Sequence, residues 1–124
     1  MQGVLKKFGN EGEEIAASFL ERQGFQILER NYRCRLGEID LIVEKDQKIL
    51  FVEVKTRHSV QGVSPLELVP YGKQRHISRA AQHYLSSQKG PEKSADFALL
   101  IVDCSGKDPV CELIEEAFPL SWGY

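Results

Sequence analysis

Cysteine is scarce in this chain and badly spaced for pairing: Cys34, Cys104 and Cys111 are an odd number, with no Cys-x-x-Cys among them. That excludes a disulfide framework and a zinc knuckle, and the three read as free thiols. An excess of one charge is also missing. Lys and Arg number 16 against 18 Asp and Glu, a net −2, so any polyanion would have to be met by a local cluster. No apolar run is long enough to cross a bilayer, and Met1–Lys7 lacks the apolar core of a signal peptide, so no membrane partner and a cytoplasmic location are expected. There is no Gly-rich phosphate loop, no Ser-His-Asp set and no nucleophile elbow. Gly9-x-x-Gly12 is too short and follows no strand to be a dinucleotide fingerprint. His58, His76 and His83 share no metal-ligand spacing with one another or with the cysteines.

What remains is an ordinary globular composition, 42% hydrophobic and 27% charged over 124 residues. It suits one domain spanning 1–124, with no repeat or evident linker. A helix is expected from about Asn10, a candidate N-cap, to Gln23 before Gly24. Its apolar stripe is Ile15, Ala16, Phe19 and Leu20. At 100° per residue Glu14 falls opposite that stripe and Glu13 on its edge, so Glu13 can face inward where Glu14 cannot easily do so. Phe25–Glu29 reads as a strand leading into an arginine-rich turn over Arg30–Leu36. Ile39–Glu44 and Ile49–Thr56 read as a hairpin across Asp46-Gln47-Lys48. A loop is expected from His58 to Gly62, then a short helix start at Ser64-Pro65 that Pro70 and Gly72 break. Ile77, Ala80, Ala81, Tyr84 and Leu85 fit the i, i+3, i+4, i+7, i+8 template of a helix over about Lys73–Ser87. Phe97–Asp103 and Val110–Ile114 read as a further pair of strands. The order helix, three strands, helix, two strands predicts a mixed sheet with helices packed on it, an α/β layered domain.

The chemistry concentrates in Gly37-Glu38-Ile39-Asp40-Leu41-Ile42 and Phe51-Val52-Glu53-Val54-Lys55-Thr56-Arg57. Ionised groups inside otherwise apolar strands are costly unless paired or bound to metal. Strand alternation points Glu53 and Lys55 to one face while Val52 and Val54 point to the other, and a hairpin makes the Asp40 strand a neighbour. Two carboxylates with oxygen-rich surroundings suit a hard divalent ion, Mg2+ or Mn2+, whose remaining positions go to water and substrate phosphate. Asp40 and Glu53 are the main candidates, with Glu13 and the Val54 carbonyl as possible further ligands. Lys55 could orient the attacking water or offset charge building on phosphorus oxygens, so Asp40, Glu53 and Lys55 are the candidate catalytic set. The plain alternative is a structural ion pair, Asp40 with Lys55. Basic clusters flank the motif: Arg30, Arg33 and Arg35 before it, Lys55, Arg57 and His58 at its end, and Lys73, Arg75, His76 and Arg79 on the second helix. Each is a solvated face or a contact for a phosphate backbone.

The motifs in their order resemble the YraN family of small bacterial proteins: Gly12-Glu13 with Ala16 and Leu20, Gly24-Phe25, Asn31-Tyr32-Arg33, Gly37-Glu38-Ile39-Asp40, Phe51 to Arg57, and Lys73 before Ala80-Ala81 and Tyr84-Leu85. The resemblance runs from about Gly9 to Phe118. It implies the restriction-endonuclease-like fold of the PD-(D/E)xK nuclease superfamily, a three-layer α/β/α domain with a central mixed five-stranded sheet, archaeal Holliday-junction resolvases being among the closer relatives. In that pattern Glu13 matches the helix glutamate, Asp40 the metal-binding aspartate, and Glu53 and Lys55 the strand acid and lysine. Lys73 matches a position able to contact phosphate. Ser94-Ala95-Asp96 stands where the family usually has Arg-Phe-Asp, so no role is carried over for that arginine. The implied activity is Mg2+- or Mn2+-dependent cleavage of DNA, selective for structure rather than sequence, with Arg33, Arg57 and Lys73 as candidate nucleic-acid contacts. A homodimer follows by analogy with resolvases. The other functional class is a non-catalytic nucleic-acid-binding or assembly factor that keeps the nuclease fold.

Overall fold

A computed structural model describes residues 2–58, 69–90 and 93–116. Among these residues seven elements follow in order: α1 (Gln2–Arg22), β1 (Gln26–Cys34), β2 (Gly37–Lys45), β3 (Lys48–Arg57), α2 (Tyr71–Ser86), β4 (Ser94–Asp103) and β5 (Val110–Glu115). The five strands form one sheet in chain order. Only β3 and β4 run parallel, joined by the crossover that contains α2, and the other neighbours are antiparallel. The sheet is therefore mixed, as the element order predicts.

Among the described residues one helix covers each face. Ala16, Ala17 and Leu20 of α1 pack with Leu41, Val43, Leu50, Val52, Ala98 and Leu100. On the opposite face Ile77, Ala80, Ala81 and Tyr84 of α2 pack with Ile42, Phe51, Phe97 and Leu99. Alternate residues of β3 serve the two cores, which is why Leu50, Phe51 and Val52 form an unbroken apolar run, all fully buried. The result is the α/β/α layering of a restriction-endonuclease-like fold.

Several boundaries differ from the sequence reading. The first helix begins at Gln2 rather than near Asn10. The first strand continues through Arg30–Cys34, where a turn was expected. Its exposed positions are polar because it lies at the sheet edge, so apolar alternation is a poor guide there. Pro70 is the N-cap of α2 and Gly72 lies in its first turn, so α2 begins at Tyr71, two residues before the expected Lys73. Proline is tolerated at a helix start, where backbone N–H groups lack intrahelical partners. The β2–β3 turn is the short hairpin expected, with Asp46 and Gln47 both at positive φ (52° and 67°), the conformation whose twist suits a two-residue hairpin. The loop after His58 and the helix start at Ser64-Pro65 lie outside the described residues.

Candidate active site

The ladder between β2 and β3 stops at Leu41↔Val52. Beyond it the strands part: Gly37–Ile39 remain paired only with β1, and Glu53–Arg57 only with β4. Asp40 and Glu53 are the next residues beyond that last pair, one on each side of the gap. Two local distortions help open this gap. Ile39 joins the same core as Ile42, although strict alternation would put it with Leu41, so β2 turns over at Asp40. Across from Asp40, Asn31 in β1 has φ 52°, a left-handed conformation that asparagine tolerates better than most residues.

In the gap the Asp40 side chain substitutes for the missing ladder, its Oδ2 accepting the Val54 backbone N–H at 2.8 Å. Glu53 and Lys55 share the β3 face that α2 covers. The Glu53 carboxylate is only 5% exposed and receives two ammonium groups, Lys73 from α2 at 2.5 Å and Lys55 at 3.6 Å. Burial works against the charge on Lys73, but the hydrogen bond and charge of Glu53 outweigh it and leave the Lys73 pKa above its usual value. Burial, and then the Glu53 charge, push the Asp40 carboxyl up to about 7, with Glu13 adding to the rise while the Val54 N–H and Lys73 oppose it. The direct ion pair is thus Glu53 with Lys73 and Lys55. Asp40 holds a backbone N–H instead of the Lys55 partner that a purely structural reading expects.

Glu13 is half-buried and Glu14 exposed, as the helical geometry predicts. Glu14 pairs with Arg30 at 2.5 Å, while Glu13 accepts from the Asn31 side-chain amide at 3.1 Å. Gly12 lets α1 approach this closely: a Cβ there would collide with Thr56 Oγ1 on β3. Glu13 is therefore near enough to act on Asp40 by charge, and Asn31 orients it. The role of Asn31 was not read from the sequence beyond its place in the Asn31-Tyr32-Arg33 motif, because its contact is made across layers.

The candidate nucleic-acid contacts are dispersed. Lys73 sits at the acidic site. Arg57 faces Asp103 at 3.4 Å, and its buried Nε makes no hydrogen bond, so that contact is an ion pair without hydrogen-bond alignment. Arg33 is exposed and lies 3.5 Å from Glu38. Asp96 of the Ser94-Ala95-Asp96 segment is tied to Lys48 at 2.9 Å.

Asp40, Glu53 and the Val54 carbonyl would offer oxygen donors only, a chemistry that suits a hard ion such as Mg2+ better than a thiophilic one. Among the described residues no three His, Cys, Asp or Glu side chains converge into a ready ligand set. Two carboxylates are nevertheless what Mg2+ commonly takes, with waters and phosphate completing its shell. Burial first, and then the charge of Glu53, raise the Asp40 pKa, and a cation between the two acids would offset both costs of ionising it. The residues fit such an ion.

A helix on each face of a five-stranded mixed sheet, with acids and lysines where two central strands separate, defines the class as a restriction-endonuclease-like α/β/α protein. Within that class the chain belongs to the family described as "Uncharacterised protein family UPF0102", the YraN family, whose profile matches residues 12–103. It is 41% identical over 115 residues to a UPF0102 protein of Caldicellulosiruptor saccharolyticus, covering 91% of this chain and 98% of that protein. It is 43% identical over 117 residues to one from Geobacter metallireducens (94% and 96% covered) and 42% over 119 residues to one from Geotalea daltonii (94% and 93%). No helix among the described residues is long and apolar enough to cross a membrane.

Proposed function

We propose that this protein is a metal-dependent nuclease that hydrolyses phosphodiester bonds in DNA, selecting structure rather than sequence. The observation that carries this reading is the gap where β2 and β3 part, with Asp40 and a buried Glu53 as the first residues on its two sides and Lys55 and Lys73 converging on the Glu53 carboxylate. Asp40 and Glu53, with the Val54 carbonyl, would hold Mg2+ or Mn2+, and Glu13 would act on that set through charge. When bound, the ion supplies Lewis-acid polarisation of the scissile phosphate. The Val54 N–H fixes the Asp40 carboxylate in place. Lys55, on the same strand face as Glu53, orients the attacking water and offsets negative charge developing on the phosphate oxygens. Lys73 balances Glu53 until substrate arrives and then contacts phosphate, with Arg33 and Arg57 as further backbone contacts.

A second reading is supported by the Lys73 ammonium at 2.5 Å from Glu53, a cation where a metal would bind. In that case the protein binds nucleic acid, or takes part in an assembly, without cutting.

Incubation of branched, flapped and single-stranded DNA with Mg2+ or Mn2+, comparing wild type with Asp40→Asn and Lys55→Ala, separates the two. Cleavage abolished by both substitutions supports the nuclease, and cleavage unaffected by them belongs to a contaminant and removes the enzyme reading. Binding without cleavage under every metal supports the second reading. Sedimentation of the same samples tests the symmetric dimer that cutting two strands would require.

A further inference from the structure

Beside the acidic site lies a recess of about 450 Å3 between the β1–β2 turn and α2, lined by Arg33, Arg35, Gly37, Glu38, His76 and Arg79 among others. Its two walls are locked together. A Cβ on Gly37 would lie 2.6 Å from the His76 backbone carbonyl, so the turn rests directly on the helix. Among the described residues the only carboxylate in the lining is Glu38, and it is engaged by Arg33 at 3.5 Å. Among the described residues neither Arg35 nor the half-buried Arg79 has an ion-pair partner. A half-buried guanidinium with no acid keeps its planar fork of donors for an anion; the fork fits carboxylate and phosphate alike, and beside a nuclease-like site the anion is phosphate.

The recess also lies along α2 from the site. Lys73, which touches Glu53, His76 and Arg79 follow one another at three-residue intervals on α2, each stepping about 60° round the helix, so Arg79 lies about 9 Å along the helix axis from Lys73 and about a third of a turn round from it. Along the other wall, β2 runs from Asp40 back to Gly37, about 10 Å at strand rise. Both paths span roughly two to three nucleotides at about 3.4 Å each along a strand axis.

We propose that this recess is a phosphate subsite for the nucleic-acid strand leaving the acidic site, with Arg35 and Arg79 as its clamp and Arg33 restrained by Glu38. The proposal rests on the nuclease-like reading and adds where the strand goes. It differs from the sequence-based assignment in making Arg35 and Arg79, rather than Arg33, the principal contacts.

The test is fluorescence anisotropy with a short labelled oligothymidylate in EDTA over a range of salt, with Mn2+ calorimetry on the same proteins. Arg35→Gln/Arg79→Gln is expected to weaken binding roughly tenfold and to lower the salt slope by about 0.7, the share of one phosphate on a single strand. Mn2+ heats should be unchanged. Glu38→Gln frees Arg33 and is expected to tighten binding about twofold to threefold, a gain that misfolding cannot mimic. Equal affinity and slope in wild type and both variants would overturn the subsite, while unchanged Mn2+ binding leaves the acidic site standing. If wild type ignores the oligonucleotide but inorganic phosphate shifts the backbone NMR signals of residues 33–37 and 76–79, the recess takes free phosphate, and both the strand assignment and the nucleic-acid reading fail. Binding of neither probe overturns both as well.

Discussion

The Lys73 ammonium, on a helix, sits 2.5 Å from the carboxylate of Glu53, which is 5% exposed on the neighbouring strand. A buried carboxylate that loses its partner is destabilising, yet Lys55 remains at 3.6 Å and Lys73 is itself 44% exposed, so the loss is softened by solvent. Lys73→Met is expected to lower stability by about 1–2 kcal/mol in thermal or urea denaturation. Millimolar Mn2+ should then raise the midpoint of Lys73→Met more than that of wild type, because no ammonium competes for Glu53. Equal metal shifts in the two proteins would show that Glu53 is not a ligand.

Asp40 titrates near 7 in the folded protein against 3.8 ordinarily. Between those values the folded state holds a proton that the unfolded state has released, so this group makes stability fall as pH rises from about 4 to 7. Asp40→Asn removes the buried charge and keeps an oxygen to accept the Val54 N–H. In EDTA it should be more stable than wild type by about 1–3 kcal/mol at pH 8 and indistinguishable near pH 4. A difference independent of pH would mean that burial and Glu53 do not act on this carboxyl.

Alanine for glycine within an exposed helix usually stabilises, but at Gly12 the new Cβ meets Thr56 Oγ1. Gly12→Ala should therefore cost about 1–2 kcal/mol, and Thr56→Ala should recover most of it in a double-mutant cycle. At Gly37 the obstacle is the His76 backbone carbonyl, so Gly37→Ala should be harsher and no side-chain truncation at His76 should rescue it. Simple additivity of Gly12→Ala and Thr56→Ala would place the α1 contact elsewhere.

Arg57 faces Asp103 without hydrogen-bond alignment, so Arg57→Ala should change stability by no more than about 1 kcal/mol. If Arg57 contacts nucleic acid, its loss should weaken oligonucleotide binding severalfold and more so at low salt. Unchanged binding at every salt concentration would remove it from the interface.

Much of the layering was legible because it rests on short-range periodicities. The i, i+3, i+4 stripe from Ile77 to Leu85 defines the inner face of α2. The two-residue alternation around Phe51 sets Glu53 and Lys55 on one face, and the 100° step separates Glu13 from Glu14. Contacts made across the chain were not legible. The Glu53–Lys73 pair joins residues on different elements, and the resemblance that marks Lys73 as a phosphate contact says nothing of its pairing with Glu53. Asn31 owes its place to a left-handed backbone opposite Asp40, a conformation that sequence pattern does not reveal. The strand character of Arg30–Cys34 was hidden because an edge strand does not need apolar residues on both faces.

The crossover between β3 and β4 has a temporal consequence. The β2–β3 hairpin closes over a two-residue turn, so Asp40 can meet the Val54 N–H by a local event. Glu53 acquires Lys73 only after the intervening segment has looped round and α2 has docked, a step slowed by loop-closure entropy. During folding the acid pair should therefore form while its cationic lid is still absent. Divalent ions added at that stage would find Glu53 uncovered, so the refolding rate in their presence would report on the site before the native state exists.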